Sequence, residues 1–97
     1  MNLTERQQKY LRRLTHDMKP AVQVGKAGLT ESLLAELNNC LTRHELIKIK
    51  VCVESRGLRD QIIDELSCRA GAEIIQRVGN TASLFRPRLL DTEINLP

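Results

Sequence analysis

Aromatic residues are almost missing from this sequence of 97 residues, which has one tyrosine, one phenylalanine and no tryptophan. Modules that stack RNA bases on an aromatic sheet, such as RRM and OB-fold domains, need several such rings. Tyr10 and Phe85 are too few for such a platform, and both are expected to serve the core. Any binding of nucleic acid would therefore depend on sugar and phosphate contacts and on shape.

Cysteine is also scarce, and the three thiols, Cys40, Cys52 and Cys68, are odd in number and lack Cys-x-x-Cys spacing. A disulfide framework is therefore not expected, and no zinc ligand set can be assembled with His16 and His44. We expect no metal site and no cofactor. Because no apolar run could cross a membrane and the charged amino terminus does not resemble a secretory signal, the sequence predicts a cytoplasmic protein.

Motifs of enzymes are missing as well. Neither the Walker pattern nor the dinucleotide Gly-x-Gly-x-x-Gly occurs, so a nucleotide pocket is not expected. The serines lack a nucleophile-elbow context, and neither histidine has an assigned catalytic partner. The acidic residues of the predicted helices are explained by solvent exposure. We therefore predict a protein that is not an enzyme and takes no small-molecule substrate.

The composition, 41% hydrophobic and 28% charged, is that of one globular domain. Apolar periodicity and turn residues predict helices and strands in this order: helix 4–18, strand 21–24, helix 30–42, strand 46–53, helix 57–70, strand 73–78 and strand 82–86. Four residues of the third helix are expected to face the core: Leu58, Ile62, Ile63 and Leu66. Right-handed crossovers then place the second and third helices on one face of a four-stranded mixed sheet. The prediction is an α/β (α+β) fold of order α-β-α-β-α-β-β, with one compact domain at 1–88 and a short tail at 89–97.

The first predicted helix is amphipathic, with a basic outer face. Its apolar residues share one sector of a helical wheel: Tyr10, Leu11, Leu14 and Met18. Five cations share the opposite arc: Arg6, Lys9, Arg12, Arg13 and Lys19. The first 28 residues hold six Lys or Arg against two Asp or Glu, whereas the remainder is close to balanced. This asymmetry favours a polyanionic partner on that side, and the alternative is a solvated face without a partner.

A short glycine motif, Gly25-Lys26-Ala27-Gly28, lies between the first predicted strand and the second predicted helix. Glycines allow close approach, while Lys26 and the amides of the following helix add positive charge, so the turn suits a phosphate. The loop is too short to wrap a triphosphate, but Gly-x-x-Gly loops clamp the backbone of RNA. The alternative is that the two glycines only make a tight strand-to-helix connection.

Several segments together resemble the bacterial YhbY-like CRM-domain proteins, named for chloroplast RNA splicing and ribosome maturation. They are, in order, Leu14, Lys19-Pro20, VQVGKAGLT at 22–30, HELIKIK at 44–50, VGNT at 78–81 and LFRP at 84–87. The resemblance covers about residues 2–88. It implies an RNA-binding domain similar in topology to the carboxy-terminal domain of translation initiation factor three, associated with precursors of the large ribosomal subunit. It also places 25–28 on the family's RNA-contacting loop.

We therefore predict a monomeric, non-enzymatic protein that contacts ribosomal RNA during assembly or maturation of the large subunit. The candidate RNA-binding residues are Gly25, Lys26, Ala27, Gly28, Arg6, Lys9, Arg12, Arg13, Lys19 and Arg86. Arg86 and also Arg88, near the end of the last strand, are weaker candidates than the loop and the first helix. The alternative hypothesis is a protein-interaction module that docks on a ribosomal protein or assembly factor.

Overall fold

The computed structural model describes residues 2–88 and 94–97. In these residues the chain forms three helices and four strands in the predicted order. They are α1 (Glu5–Thr15), β1 (Val22–Val24), α2 (Glu31–His44), β2 (Leu46–Val51), α3 (Arg56–Ala70), β3 (Glu73–Val78) and β4 (Thr81–Phe85). The predicted α+β fold is confirmed.

The four strands form one mixed sheet in the order β1-β2-β4-β3. β1 runs parallel to β2, with Val24 opposite Val51, whereas β4 runs antiparallel to both of its neighbours. β1, β2 and β3 therefore all point the same way, and their carboxyl ends share one edge of the sheet. The residues that follow β1 and β2 and the turn between β3 and β4 meet at that edge.

The main core lies between the sheet and the helices α2 and α3. Its buried residues are Val22, Val24, Leu37, Leu41, Ile47, Ile49, Val51, Ile62, Ile63, Leu66, Ala70, Ala82 and Leu84. Both helices begin at hydroxyl caps, since Thr30 Oγ1 accepts the N–H of Leu33 and Ser55 Oγ accepts that of Leu58. The prediction that Leu58 points inward is wrong, because in the first turn of α3 it precedes the contact with the sheet and stays 47% exposed.

α1 packs on the opposite face of the sheet, over a second and smaller cluster. Its buried residues are Leu11, Leu46, Ile75 and Phe85, and Leu3, Met18, Ile94 and Leu96 pack against them. At the start of α1, Thr4 and Gln7 form a capping box, with the N–H of each donating to the side chain of the other.

α1 differs from its prediction in its end and in its buried face. It stops at Thr15, before the predicted Met18, because the N–H groups of His16 and Met18 donate to carbonyls three residues back and so tighten the turn. Thr15, one turn after Leu11, occupies the buried position. Leu14 lies at the margin of this face and is 36% exposed, so its predicted inward orientation is wrong.

Two of the last four residues pack on the second cluster. Ile94 and Leu96 pack on it, and Gln7 Nε2 donates to the carbonyl of Pro97 at 3.2 Å. The first part of the predicted tail, 89–93, lies outside the described residues. The described end of the chain therefore contributes to the packing of α1.

Two observations bear on the exclusions made from the sequence. No helix in residues 2–88 and 94–97 combines the length and the apolar character needed to pass through a bilayer. In the same residues, His, Cys, Asp and Glu side chains do not assemble into groups of three that could hold a metal ion.

Candidate nucleic-acid interface

Residues 25–28 form a β-turn directly after β1. The N–H of Gly28 donates to the carbonyl of Gly25 at 3.0 Å, which places Lys26 and Ala27 at the two corner positions. Gly25, Lys26 and Ala27 are exposed. Lys26 forms no ion pair with any residue that the structure describes. The turn therefore presents one ammonium group to solvent.

The two glycines of this turn serve different purposes. Gly28 has φ +66°, a left-handed conformation that strains other residues. Gly25 has no such constraint, and a Cβ added to it would meet nothing within 4 Å. Gly28 thus shapes the turn, whereas Gly25 leaves open space beside Lys26.

The start of α2 adds less positive charge to the turn than the sequence suggested. The side chain of Thr30 already accepts the N–H of Leu33, and the N–H of Gly28 is used inside the turn. Glu31 lies in the first turn of α2, where its carboxylate offsets the helix dipole. Lys26 is therefore the main source of positive charge at this loop.

A channel of about 740 Å³, here called the α1 groove, runs between α1 and the polar face of the sheet. Its lining residues are Lys9, Arg12, Arg13, Thr15, His16, Asp17, Lys48, Gln76, Val78, Thr81 and Ser83. Four of these lining residues are lysines or arginines, and a single one, Asp17, is a carboxylate. None of these four cations forms an ion pair with a described residue. The groove is therefore electropositive and open.

The strands supply the floor of the α1 groove through their alternation. Ile47 and Ile49 of β2 enter the main core, so Lys48 between them faces α1, opposite Ser83 of β4. In β3 a bulge at Ile75 interrupts the register between Ile74 and Gln76. Ile75 can therefore pack under α1 while Gln76 also lines the groove.

A second channel, the loop groove, lies at the sheet edge where β1 and β2 end. It measures about 670 Å³ and is lined by Lys26, Val51, Cys52, Val53, Glu54, Ser55, Leu58, Arg59 and Asn80. The N–H of Val51 donates to the carbonyl of Asn80 at 2.7 Å, which fixes the β3–β4 turn to the end of β2. Val78 and Thr81 of this hairpin line the α1 groove, and Asn80 lines the loop groove. The two grooves thus adjoin across the β3–β4 turn.

The structure gathers some of the candidate residues and separates others. Lys9, Arg12 and Arg13 share the α1 groove, and Lys26 lies in the loop groove. Arg6 and Lys19 are exposed but line neither groove. Lys48 also lines the α1 groove but was not among the candidates.

Arg86 is held by protein groups. Its Nη1 donates to Asn38 Oδ1 at 2.8 Å and to the carbonyl of Ala70 at 2.7 Å. Its Nη2 donates to the carbonyl of Asn38 and to Thr42 Oγ1, both at 3.1 Å. The guanidinium connects α2, the end of α3 and the end of β4, which favours a structural role over RNA contact.

Arg77 also differs from the groove cations because carboxylates engage it. Its guanidinium pairs with Asp60 at 3.2 Å and with Asp64. Burial alone would lower the pKa of Arg77, but hydrogen bonds and Coulombic attraction, first from Asp64 and then from Asp60, outweigh it and raise the pKa. Arg77 therefore stays charged and joins β3 to α3.

One family model and two bacterial relatives each match most of this chain. The model of the CRS1 / YhbY (CRM) domain matches residues 3–86, which include every residue lining the two grooves. A Pseudomonas aeruginosa protein named as a probable RNA-binding protein is 38% identical over 86 residues, covering 89% of this chain and 83% of its own. A Haemophilus influenzae protein named as an RNA-binding protein is 38% identical over 95 residues, covering 98% and 95%.

A solved structure has the same fold. The solution structure of a hypothetical protein from Staphylococcus aureus superposes with a TM-score of 0.83 and 31% sequence identity. The superposition covers 99% of this chain and 100% of that chain. The arrangement of three helices on a four-stranded sheet is therefore shared with this structure.

Proposed function

Because the chain belongs to the CRS1 / YhbY (CRM) domain family, we propose that it binds RNA through the α1 groove and the turn at 25–28. The α1 groove is the observation that supports this most. Lys9, Arg12, Arg13 and Lys48 converge on one open channel without carboxylate partners in the described residues. Cations in this arrangement attract phosphates, and their affinity does not depend on base sequence.

Each part of the α1 groove has a distinct task in this proposal. Arg12 and Arg13 bind phosphate oxygens in a bidentate manner, and Lys9 and Lys48 act as point charges. Gln76 and Thr81 on the floor offer amide and hydroxyl groups to the ribose. Contacts to the 2′-hydroxyl would distinguish RNA from DNA.

The turn at 25–28 extends this surface past the β3–β4 hairpin. A strand leaving the α1 groove across Val78 and Thr81 reaches Asn80 and then Lys26. The exposed corner and the open space at Gly25 allow a phosphate to approach the backbone closely. Lys26 would supply the charge at that point.

The finer target we propose is ribosomal RNA in the assembling or maturing large subunit. This proposal depends on the resemblance to YhbY-like proteins, and the relatives named as RNA-binding proteins support RNA as the class of partner. The protein would act as a monomer and without catalysis.

A salt titration tests the proposal. Binding of ribosomal RNA fragments should weaken with salt, and neutralising four or five phosphates gives a slope of log affinity against log salt of about −3 for single strands. A slope near zero, or no binding, would contradict the proposal. It would favour docking on a ribosomal protein or assembly factor instead.

A further inference from the structure

The loop groove differs from the α1 groove because apolar side chains form much of its wall. Leu58 is 47% exposed, and Cys52 and Val53 beside it are half-buried. Lys26 and Arg59 line the same groove, against the single carboxylate of Glu54. An exposed leucine beside a cationic turn suits a ligand that is apolar and carries negative charge close by.

We propose that the loop groove holds one unstacked base of single-stranded RNA while Lys26 pairs with an adjacent phosphate. This inference rests on the proposed function and narrows its substrate class to single-stranded RNA. In an A-form duplex the bases are stacked inside and the deep groove cannot be read by side chains. Only a base that has left the stack can place its flat apolar face against Leu58 and Val53.

Asn80 is placed to recognise the edge of such a base. It lines the loop groove, and no hydrogen bond among the described residues involves its side-chain amide. An amide has both a donor and an acceptor, so it can pair with the edge of a base. Contact with aliphatic side chains tolerates any base, and Asn80 would supply the modest preference.

Backbone hydrogen bonds form the loop groove before any ligand arrives. The N–H of Cys52 donates to the carbonyl of Val24 at 2.8 Å, and that of Val51 donates to Asn80 at 2.7 Å. Ser55 Oγ caps α3 through the N–H of Leu58 at 3.3 Å. Little ordering is therefore needed on binding, which favours affinity.

The test is a double-mutant cycle that combines removal of the Leu58 side chain with removal of one RNA base. A single-stranded ribosomal RNA oligonucleotide is titrated by fluorescence anisotropy with one nucleotide at a time replaced by an abasic linker, which removes the base and keeps the phosphate. At one position the linker should weaken binding about five- to tenfold. Leu58→Ala should weaken binding of the intact strand by a similar factor and binding of that abasic strand hardly at all.

Matched variants distinguish an effect of the loop groove on RNA binding from a general loss of affinity or of folding. Leu14→Ala removes another exposed leucine that lines neither groove and should leave affinity unchanged. Asn80→Ala should weaken binding by a factor that depends on the base at the sensitive position. The φ of Asn80 is not positive, so alanine fits the backbone at this position. Melting curves check that each variant is folded.

The outcomes distinguish this inference from the proposed function. If the salt slope persists while Leu58→Ala and Asn80→Ala bind normally, or if duplex RNA competes equally, the base site is wrong and phosphate binding stands. Normal RNA binding by Leu58→Ala together with lost binding to a ribosomal protein would assign the groove to a protein partner. Absence of RNA binding by the unaltered protein would overturn both proposals.

Discussion

The buried carboxylate of Glu45 accepts a hydrogen bond from the backbone N–H of Ile94, with 3.1 Å between Oε1 and N. Its Oε2 accepts the N–H of Arg88 at 2.7 Å, and its own carbonyl accepts the N–H of Arg86 at 2.8 Å. Glu45 ends α2 with φ +63°, an unusual conformation for a residue with a Cβ. Glu45 therefore fixes two segments beside the second cluster: the residues that follow β4 and the segment that begins at Ile94.

We expect Glu45→Gln to destabilise the fold. The amide keeps one acceptor oxygen but turns a donor toward a backbone N–H, so a buried hydrogen bond is lost at a cost of about 1–3 kcal/mol. Urea denaturation measures this change. Glu36→Gln, on the exposed face of α2, is the matched control and should leave the midpoint unchanged. Equal midpoints for the two variants would contradict the role of Glu45.

Removal of the apolar end of the chain should loosen α1. Ile94→Ser with Leu96→Ser takes two side chains from the second cluster, and the lost burial should cost about 1–3 kcal/mol. Amide hydrogen exchange should rise in α1 more than in α2 or α3, because among the described residues α1 contributes to the second cluster, whereas α2 and α3 contribute to the main core. Asn95→Ala, exposed between the two, is the control. Exchange that rises equally in all three helices would contradict a local role.

Local patterns in the sequence predicted the elements but not how α1 is seated. Apolar periodicity correctly predicted the order of helices and strands. In β2, Ile47 and Ile49 alternate with lysines and lie in the core, and Thr30 and Ser55 cap their helices. The rotation of α1, which buries Thr15 and exposes Leu14, depends on contacts with Ile75 and Phe85 from distant strands. Lys48 was missed as a site residue for the same reason, since only the position of α1 turns the polar sheet face into a groove.

Other parts of the candidate site depend on geometry that residue types do not reveal. Arg86 looked available because it is a cation near a strand end, but its partners Asn38, Thr42 and Ala70 come together only in the fold. The bulge that brings Gln76 to the groove has no glycine or other signal in β3. Long-range contacts therefore decided which predicted cations share a surface.

Two arginines of α1 can show whether RNA binds inside the α1 groove or along the whole basic face of the helix. Arg13 lines the α1 groove and Arg6 does not, although both are exposed on the same helix. Arg13→Ala should weaken RNA binding and make the salt slope shallower by about 0.7, the value for one lost phosphate contact on a single strand. Arg6→Ala should leave the slope unchanged. Equal losses in both variants would indicate that RNA binds the whole helix face.

Lys48 and Lys50 make the corresponding comparison on β2. Both are half-buried on alternate positions of one strand, but only Lys48 lines the α1 groove. Lys48→Gln keeps most of the side chain and removes the charge, so the same titration should show a slope shallower by about 0.7. Lys50→Gln removes an equal charge and should bind like the unaltered protein. The opposite ranking would place the RNA toward the carboxyl end of β2 instead of under α1.

The two glycines of the turn allow its charge and its shape to be tested separately. Gly25→Asp adds a carboxylate beside Lys26 where a Cβ meets nothing within 4 Å, so it should weaken RNA binding without lowering the melting temperature. Gly25→Ala adds bulk alone and isolates the effect of charge. Gly28→Ala should instead cost about 1 kcal/mol of stability because of its φ of +66°.

Gly71→Ala is the control for that strain, since Gly71 has φ +65° at the end of α3 and open space around it. It should lower stability as much as Gly28→Ala does and leave RNA affinity intact. Melting curves and RNA titrations measure stability and RNA affinity separately for the four variants, Gly25→Asp, Gly25→Ala, Gly28→Ala and Gly71→Ala. If Gly25→Asp binds RNA with unchanged affinity, the turn only connects β1 to α2, and the α1 groove alone carries the proposed binding.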